Sequence, residues 1–183
     1  MRKLAYSGVL ILLLSMQACI NDINDTEGGN KLPASTTIFI EKDDIEFANK
    51  AAIIGLDEIE LGKLAIKKGQ DKKVKNFGTM LIKQHTKTGR KLTVVAQSKK
   101  LTLPRVPDTV ILNDINTLSK LSGKAFDKAY ITYITANHQK NLQLFEQAAK
   151  HVYDKDIRKI ANRDVLILKR HLYALHGISA MMR

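Results

Sequence analysis

Four long segments of the chain space their apolar residues as amphipathic helices do. They cover residues 43–68, 71–99, 124–151 and 157–178. The second segment is typical, and its apolar face holds Val74, Phe77, Leu81, Leu92 and Val95. No segment shows the sustained alternation of a β-strand. The pattern therefore predicts an all-α protein whose four helices bury these faces against one another.

The connection between the second and third helices predicts the topology. Residues 100–123 contain Pro104, Pro107 and a short amphipathic piece from Val110 to Leu121. A connection of this length suits a crossover along a bundle better than a turn. We therefore expect a ferritin-like four-helix bundle with one long crossover.

Two aspartates are predicted to cap helices. Asp43, with Glu46 three residues later, matches a capping box for the first helix, and Asp154 precedes the fourth helix.

The N-terminus has the layout of an export signal. Arg2 and Lys3 precede an apolar run from Leu4 to Ser15, which is short for a membrane span. The segment Met16-Gln17-Ala18-Cys19 resembles a bacterial lipobox, in which the cysteine is acylated after cleavage. We predict a signal peptide over residues 1–18, a lipid-anchored tether over 19–42 and a helical bundle over 43–183. Cys19 is the only cysteine in the chain, and a lone cysteine in an exported protein needs an explanation. The alternative is ordinary secretion with a chance cysteine.

The formal net charge of +12 suggests an anionic partner. The lysines are spread along the chain, and aromatic residues are not interleaved with them, which argues against nucleic-acid binding. We expect the basic surface to lie against anionic lipid headgroups or other components of the cell envelope.

Each helix carries a metal-ligand type of residue near its middle. The four residues are Glu58, His85, His138 and His171. Three imidazoles and one carboxylate suit a single zinc, copper or iron ion. The Glu-x-x-His pattern of di-iron carboxylate proteins is absent, since Ile82 and Leu168 stand where its glutamates would be. We favour the interpretation that these residues form a hydrogen-bonded polar cluster in the core, and keep the metal site as the alternative.

Other polar residues are given lesser roles. Asp127 and Tyr130 are predicted to tie the third helix to the crossover, and Glu146 to pair with Lys150 on the surface. His151 and His176, near helix ends, are expected to be exposed. Because neither a phosphate-binding loop nor a nucleophile motif is present, we do not expect an enzyme.

Several motifs resemble family 4142 of domains of unknown function. They are Glu58-Ile59-Glu60-Leu61-Gly62-Lys63-Leu64-Ala65, Val74-Lys75-Asn76-Phe77, His85-Thr86, Leu121 to Tyr130 including Phe126, His138, Leu144-Phe145-Glu146 and His171-Leu172. The resemblance covers residues 43–180 and implies an exported bacterial protein, of the outer membrane or periplasm, with a ferritin-like bundle and no established activity. Two departures are Gln84, where the family usually has Asp, and Gly89, where Asn is common.

We therefore expect a lipid-anchored, non-enzymatic module of the cell envelope that serves binding, envelope maintenance or a stress response. The alternatives are a metal-dependent redox or storage protein and a scaffold for an envelope partner. The ligand, the oligomeric state and the membrane leaflet stay open.

Overall fold

The computed structural model describes residues 40–182 and contains five α-helices in that range. These are α1 (Lys42–Lys68), α2 (Lys72–Ser98), α3 (Thr109–Ser119), α4 (Gly123–His151) and α5 (Lys155–Ala180). Among the described residues, no helix is both long and apolar enough to span a bilayer. The predicted all-α bundle with a long crossover is confirmed. The predicted signal peptide, Cys19 and nearly all of the tether lie outside the described residues.

Two buried aspartates show how the helices are arranged. Asp44, in the first turn of α1, accepts two backbone N–H groups of the α4–α5 turn, both at 2.8 Å. Asp127, in the second turn of α4, accepts two from the α1–α2 turn, at 3.0 and 2.7 Å. Helices α1 and α4 are therefore antiparallel, and each hairpin fastens the turn of the other. Since α2 and α4 then run in the same direction, the crossover must return along the whole bundle, as in ferritin-like folds.

The crossover helix α3 is held at two points. Its N-cap residue, Asp108, donates its backbone N–H to the carboxylate of Asp57 on α1, at 2.8 Å. The hydroxyl of Tyr133 on α4 donates to Asp114 of α3, at 2.9 Å. These contacts place α3 beside α1 and α4.

The core has two apolar halves. One half contains Leu61, Leu81, Ile134 and Leu175 among its members, and the other contains Ala51, Leu92, Phe145 and Leu168. On every long helix, one or two buried polar residues lie between the stretches that feed these halves. This polar belt consists of Glu58, His85, His138, Asn141 and His171.

Three local predictions were wrong. Asp43 does not cap α1, since Glu41 occupies the N-cap position and no side chain bonds there; Asp43 lies exposed within the first turn. Asp127 and Tyr130 tie α4 to the first hairpin rather than to the crossover, because the hydroxyl of Tyr130 donates to the carbonyl of Leu61 at 3.1 Å.

Glu146 forms its ion pair with Lys169 on α5, at 2.8 Å, instead of with Lys150 on its own helix. The predicted cap of the last helix is confirmed, because Asp154 accepts the N–H groups of Asp156 and Ile157.

Candidate metal centre

Three histidines from three different helices converge in the polar belt. One ring nitrogen from each of His85 on α2, His138 on α4 and His171 on α5 lies within 4.8 Å of the others. They reach the belt because each lies on the apolar stripe of its helix, one turn from a core residue. Phe77 packs against the rings of His138 and His171, with centroids 6.1 and 5.8 Å away. The rings of His138 and His171 thus pack against a core side chain.

His138 presents a lone pair towards the centre of the cluster. Its Nδ1 lies 3.1 Å from the carbonyl oxygen of Ile134. A carbonyl can only accept, so Nδ1 carries the proton and donates it. The other nitrogen, Nε2, is then unprotonated and lies 2.9 Å from Nδ1 of His171.

The outer ring nitrogen of His171 also faces an acceptor. Its Nε2 lies 2.9 Å from Oε1 of Gln84, to which it donates. Its Nδ1 is then also unprotonated, and two lone pairs face each other across 2.9 Å. A cation between the two nitrogens removes this repulsion. The other solution turns the Gln84 amide over, so that its NH₂ group donates to His171 and the Nδ1 proton of His171 is shared with His138.

His85 completes the cluster without a partner of its own. Its ring meets that of His171 edge-on, with centroids 5.6 Å apart. Its Nε2 is buried and forms no hydrogen bond in the described part of the chain. An unpaired polar atom in a core costs roughly 1–3 kcal/mol, so a ligand that binds this nitrogen recovers the cost.

Burial keeps all three imidazoles neutral. It lowers the pKa of His85 to about 3, and the neighbouring His171 adds to the effect. It lowers the pKa of His171 to about 4 and that of His138 well below its usual value. A metal ion binds the unprotonated imidazole, so protons would not compete with an ion for these nitrogens at neutral pH.

Glu58 lies behind His138 rather than among the converging nitrogens. Its Oε1 is 3.4 Å from Nδ1 of His138 and accepts from Nδ2 of Asn141 at 3.3 Å, while its Oε2 has no partner. Burial raises the pKa of Glu58 to about 8. The structure thus separates the four predicted ligands into three histidines that converge and one carboxyl group that lies behind His138. A carboxylate behind a histidine is a common way to orient a metal ligand.

Two residues of this site were not among the predicted site residues: Asn141 was missed, and Gln84 was noted only as a departure from the family pattern. Asn141 could have been found, because it lies on the apolar stripe of α4, four residues before Phe145. Asn141 also follows the turn-bonding Asp127 by the same number of residues as Glu58 follows Asp44, so the two residues lie at matching places on their helices. Gln84 gives no such signal, since it lies at the edge of the stripe of α2. The position that differs from the usual Asp of the family therefore orients His171 and not the adjacent His85.

The remaining histidines lie away from the cluster. His151 and His176 are exposed near the ends of α4 and α5. Among the residues described, no other group of three histidine, cysteine or acidic side chains is close enough to share an ion.

Comparison with known proteins supports the fold and gives no activity. The model of the family "Domain of unknown function (DUF4142)" matches residues 30–178. No curated protein matches the chain. A crystal structure of a DUF305 fragment from Deinococcus radiodurans is similar, with a TM-score of 0.69 and 9% sequence identity over 78% of this chain and 98% of the other. At that identity the likeness concerns the fold alone. The chain belongs to the DUF4142 family.

Proposed function

We propose that this DUF4142 protein binds a single transition-metal ion in the middle of its bundle. His85, His138 and His171 would supply the ligands, and Glu58 would orient His138 from behind. One observation carries the proposal: three neutral imidazoles converge within 4.8 Å, and one of them has an unpaired buried nitrogen.

The unmet hydrogen bonds favour this function over a purely structural cluster. A structural cluster persists because its polar atoms satisfy one another. Only three side-chain atoms in residues 40–182 are buried without a partner, and two of them, His85 Nε2 and Glu58 Oε2, belong to this site. An ion bound to the histidines would use the first atom, and its charge would favour the ionised form of Glu58.

The ligand set favours zinc, copper or iron. Neutral imidazole suits all three ions, whereas a site without several oxygen ligands does not suit calcium or magnesium. Two nitrogens bound to one tetrahedral zinc ion stand about 3.3 Å apart at the usual bond length. The nitrogens of His138 and His171, 2.9 Å apart, are close to this spacing. The three ligand nitrogens are spread over up to 4.8 Å, so the His85 ring would have to move the most.

Elemental analysis tests the proposal. The full-length chain, purified in detergent without a His tag, would be loaded with zinc, copper or iron and passed through a desalting column. We expect about one equivalent of metal in the wild type and less than a tenth in His85→Ala and His138→Ala. His151→Ala removes an exposed histidine of α4 and should retain the full equivalent. A reconstituted wild type that holds none of these metals would rule out the function.

We also propose that the protein works at a membrane surface, held by acyl chains on Cys19. The lipobox-like motif from Met16 to Cys19 supports acylation of the cysteine. Three acyl chains would hold the protein stably, because each buried CH₂ contributes about 0.8 kcal/mol. A Cys19→Ser chain should fail to incorporate labelled palmitate and should leave the membrane fraction. Equal labelling of both chains would contradict the anchor.

A basic groove between α2 and α5 supports the membrane location. Its volume is about 680 Å³, and its cationic lining residues are Lys83, Lys87, Lys91, Arg163 and Arg170. No carboxylate lines it, although Arg163 is paired with the adjacent Asp164. Such a surface attracts anionic headgroups at roughly 1 kcal/mol per cation.

Vesicle binding separates this groove from general basic charge. In a Cys19→Ser background, Lys87→Glu with Lys91→Glu should abolish co-sedimentation with phosphatidylglycerol vesicles at low salt. The matched control, Lys124→Glu with Lys128→Glu on the exposed face of α4, changes the net charge equally and should retain most binding. Equal losses in both pairs would show that only the total charge matters.

A further inference from the structure

Three helical glycines, Gly55, Gly89 and Gly177, have open space where a side chain would lie, and the first two lie beside His85. A Cβ atom added to Gly62 or Gly78 would lie 2.7 or 2.6 Å from the backbone of the facing helix, so these two glycines allow α1 and α2 to approach closely. A Cβ added to Gly55 or Gly89 meets nothing within 4 Å. Glycine destabilises a helix interior, and at Gly55 and Gly89 no close helix contact compensates for this.

Gly55 and Gly89 open a pocket beside the histidine cluster. The pocket lies between α1, α2 and the segment that follows α2, and its volume is about 430 Å³. This size is within the range of small-molecule sites. Apolar side chains such as Leu56, Leu92 and Leu103 form the walls, and His85 is the only histidine in the lining. We refer to it as the glycine pocket.

His85 is the member of the cluster that this pocket can reach. Its side chain retains 8% exposure, whereas His138 and His171 are fully buried. Gly55, Gly89 and His85 also line a second, much smaller cavity, of about 20 Å³, on the side of Phe145 and Leu168. Both cavities are therefore lined by Gly55, Gly89 and His85.

The charges of the pocket favour an anion. Its charged lining residues are Arg90 and Arg105, both exposed, and no carboxylate lines it. Among the described residues neither arginine forms an ion pair. Guanidinium groups are suited to carboxylates and other oxyanions.

We propose that the glycine pocket admits a small anion, which binds to the metal ion at the His85 side of the cluster. This inference rests on the proposed metal site and adds to it an open coordination position and a class of exogenous ligand. The arginines attract the anion, and the apolar walls exclude bulk water around it. Because glycines stand at positions 55 and 89, no side chain there blocks the approach of the anion to His85.

Azide binding to the copper-loaded, full-length protein tests the inference. Copper content is measured first, so that loss of the metal site is recognised separately. The wild type should develop an azide-to-copper charge-transfer band that saturates with azide concentration. Gly89→Leu and Gly55→Leu should hold as much copper as the wild type but bind azide at least about tenfold more weakly.

Gly177→Leu is the matched control, because Gly177 is a helical glycine with open space around it that lies outside the pocket. All three substitutions should raise the melting temperature, since leucine favours the helix, and only the two in the pocket should weaken azide binding. Arg90→Gln with Arg105→Gln should weaken it several-fold.

Three results would overturn the inference. Azide binding of wild-type strength in both pocket variants would show that the anion uses another route. A copper-loaded wild type without an azide band would show that no coordination position is open. A wild type that holds none of zinc, copper or iron would remove both the inference and the metal site, whereas a copper-loaded wild type without azide binding would remove the inference alone.

Discussion

At the scale of single residues, the tautomers of His138 and His171 determine how the cluster can behave. The Ile134 carbonyl holds a proton on the outer nitrogen of His138, and the Gln84 amide does the same for His171 when its oxygen faces the ring. The inner nitrogens are then free to bind a cation. None of this could be predicted from the sequence, because it depends on which nitrogen of each ring faces which neighbour.

Gln84→Glu should increase metal affinity. A carboxylate can only accept, so it fixes the proton on Nε2 of His171 and leaves Nδ1 free for the ion. We expect the dissociation constant for zinc, measured by chelator competition, to fall by about tenfold. Gln84→Leu removes the acceptor and should raise the dissociation constant for zinc by about tenfold. Equal affinities in the three proteins would show that Gln84 does not orient His171.

Glu58 should make the metal-free protein less stable at higher pH. Its pKa is about 8 in the folded state, above its usual value of 4.5, so the folded protein binds more protons than the unfolded chain between these pH values. The free energy of unfolding should therefore fall as pH rises through this window. The difference between wild type and Glu58→Gln, measured by urea titration, should change by up to about 1.4 kcal/mol per pH unit. A difference that is constant from pH 5 to pH 8 would contradict the burial of a protonated Glu58.

At the scale of helices, the bundle is locked by aspartates that bridge its two hairpins. The sequence predicted the helix ends to within a few residues, because Asp71 and Asp154 directly precede long apolar stripes. It did not predict the roles of Asp44 and Asp127, which accept from turns that are distant along the chain. An aspartate close to the start of a helix looks in sequence like a favourable charge near the helix N-terminus, so a bond to another turn leaves no local signal.

Asp127→Ala should destabilise the bundle strongly. The buried carboxylate accepts two backbone N–H groups, and its removal leaves both without a partner. Each hydrogen bond to a charged group is worth about 1.5–3 kcal/mol, so we expect a loss of about 2–4 kcal/mol in chemical unfolding. Lys128→Ala, at the exposed neighbouring position, should change stability by less than about 0.5 kcal/mol. Similar losses in both variants would show that the bridge contributes little.

At the scale of the whole molecule, the length of the crossover determined the topology. A connection of residues 100–123 can span the bundle, so the direction of α4 could be predicted before any contact was known. Heights along the helices also placed Glu58 and the three histidines at one level. The sequence could not show that the histidines converge while Glu58 lies behind one of them, because helix rotation and side-chain rotamers decide this arrangement.

The two halves of the core explain why a polar site is tolerated at the centre. Each half has its own aromatic residues, including Phe126 and Tyr130 in one and Phe47 and Phe145 in the other. The belt between them contributes less to burial of apolar surface, so the fold can hold unpaired polar atoms there. In our account this belt is the functional layer, and the apolar halves fix the three histidine-bearing helices in position.

Anomalous diffraction from zinc-loaded crystals is the most direct test of the central claim. Data collected on both sides of the zinc absorption edge should give one strong peak within about 2.1 Å of a ring nitrogen of each of His85, His138 and His171. In crystals of His138→Ala the same peak should be absent. A wild-type map with no peak at the cluster, or with zinc only at the exposed His151 and His176, would contradict the account.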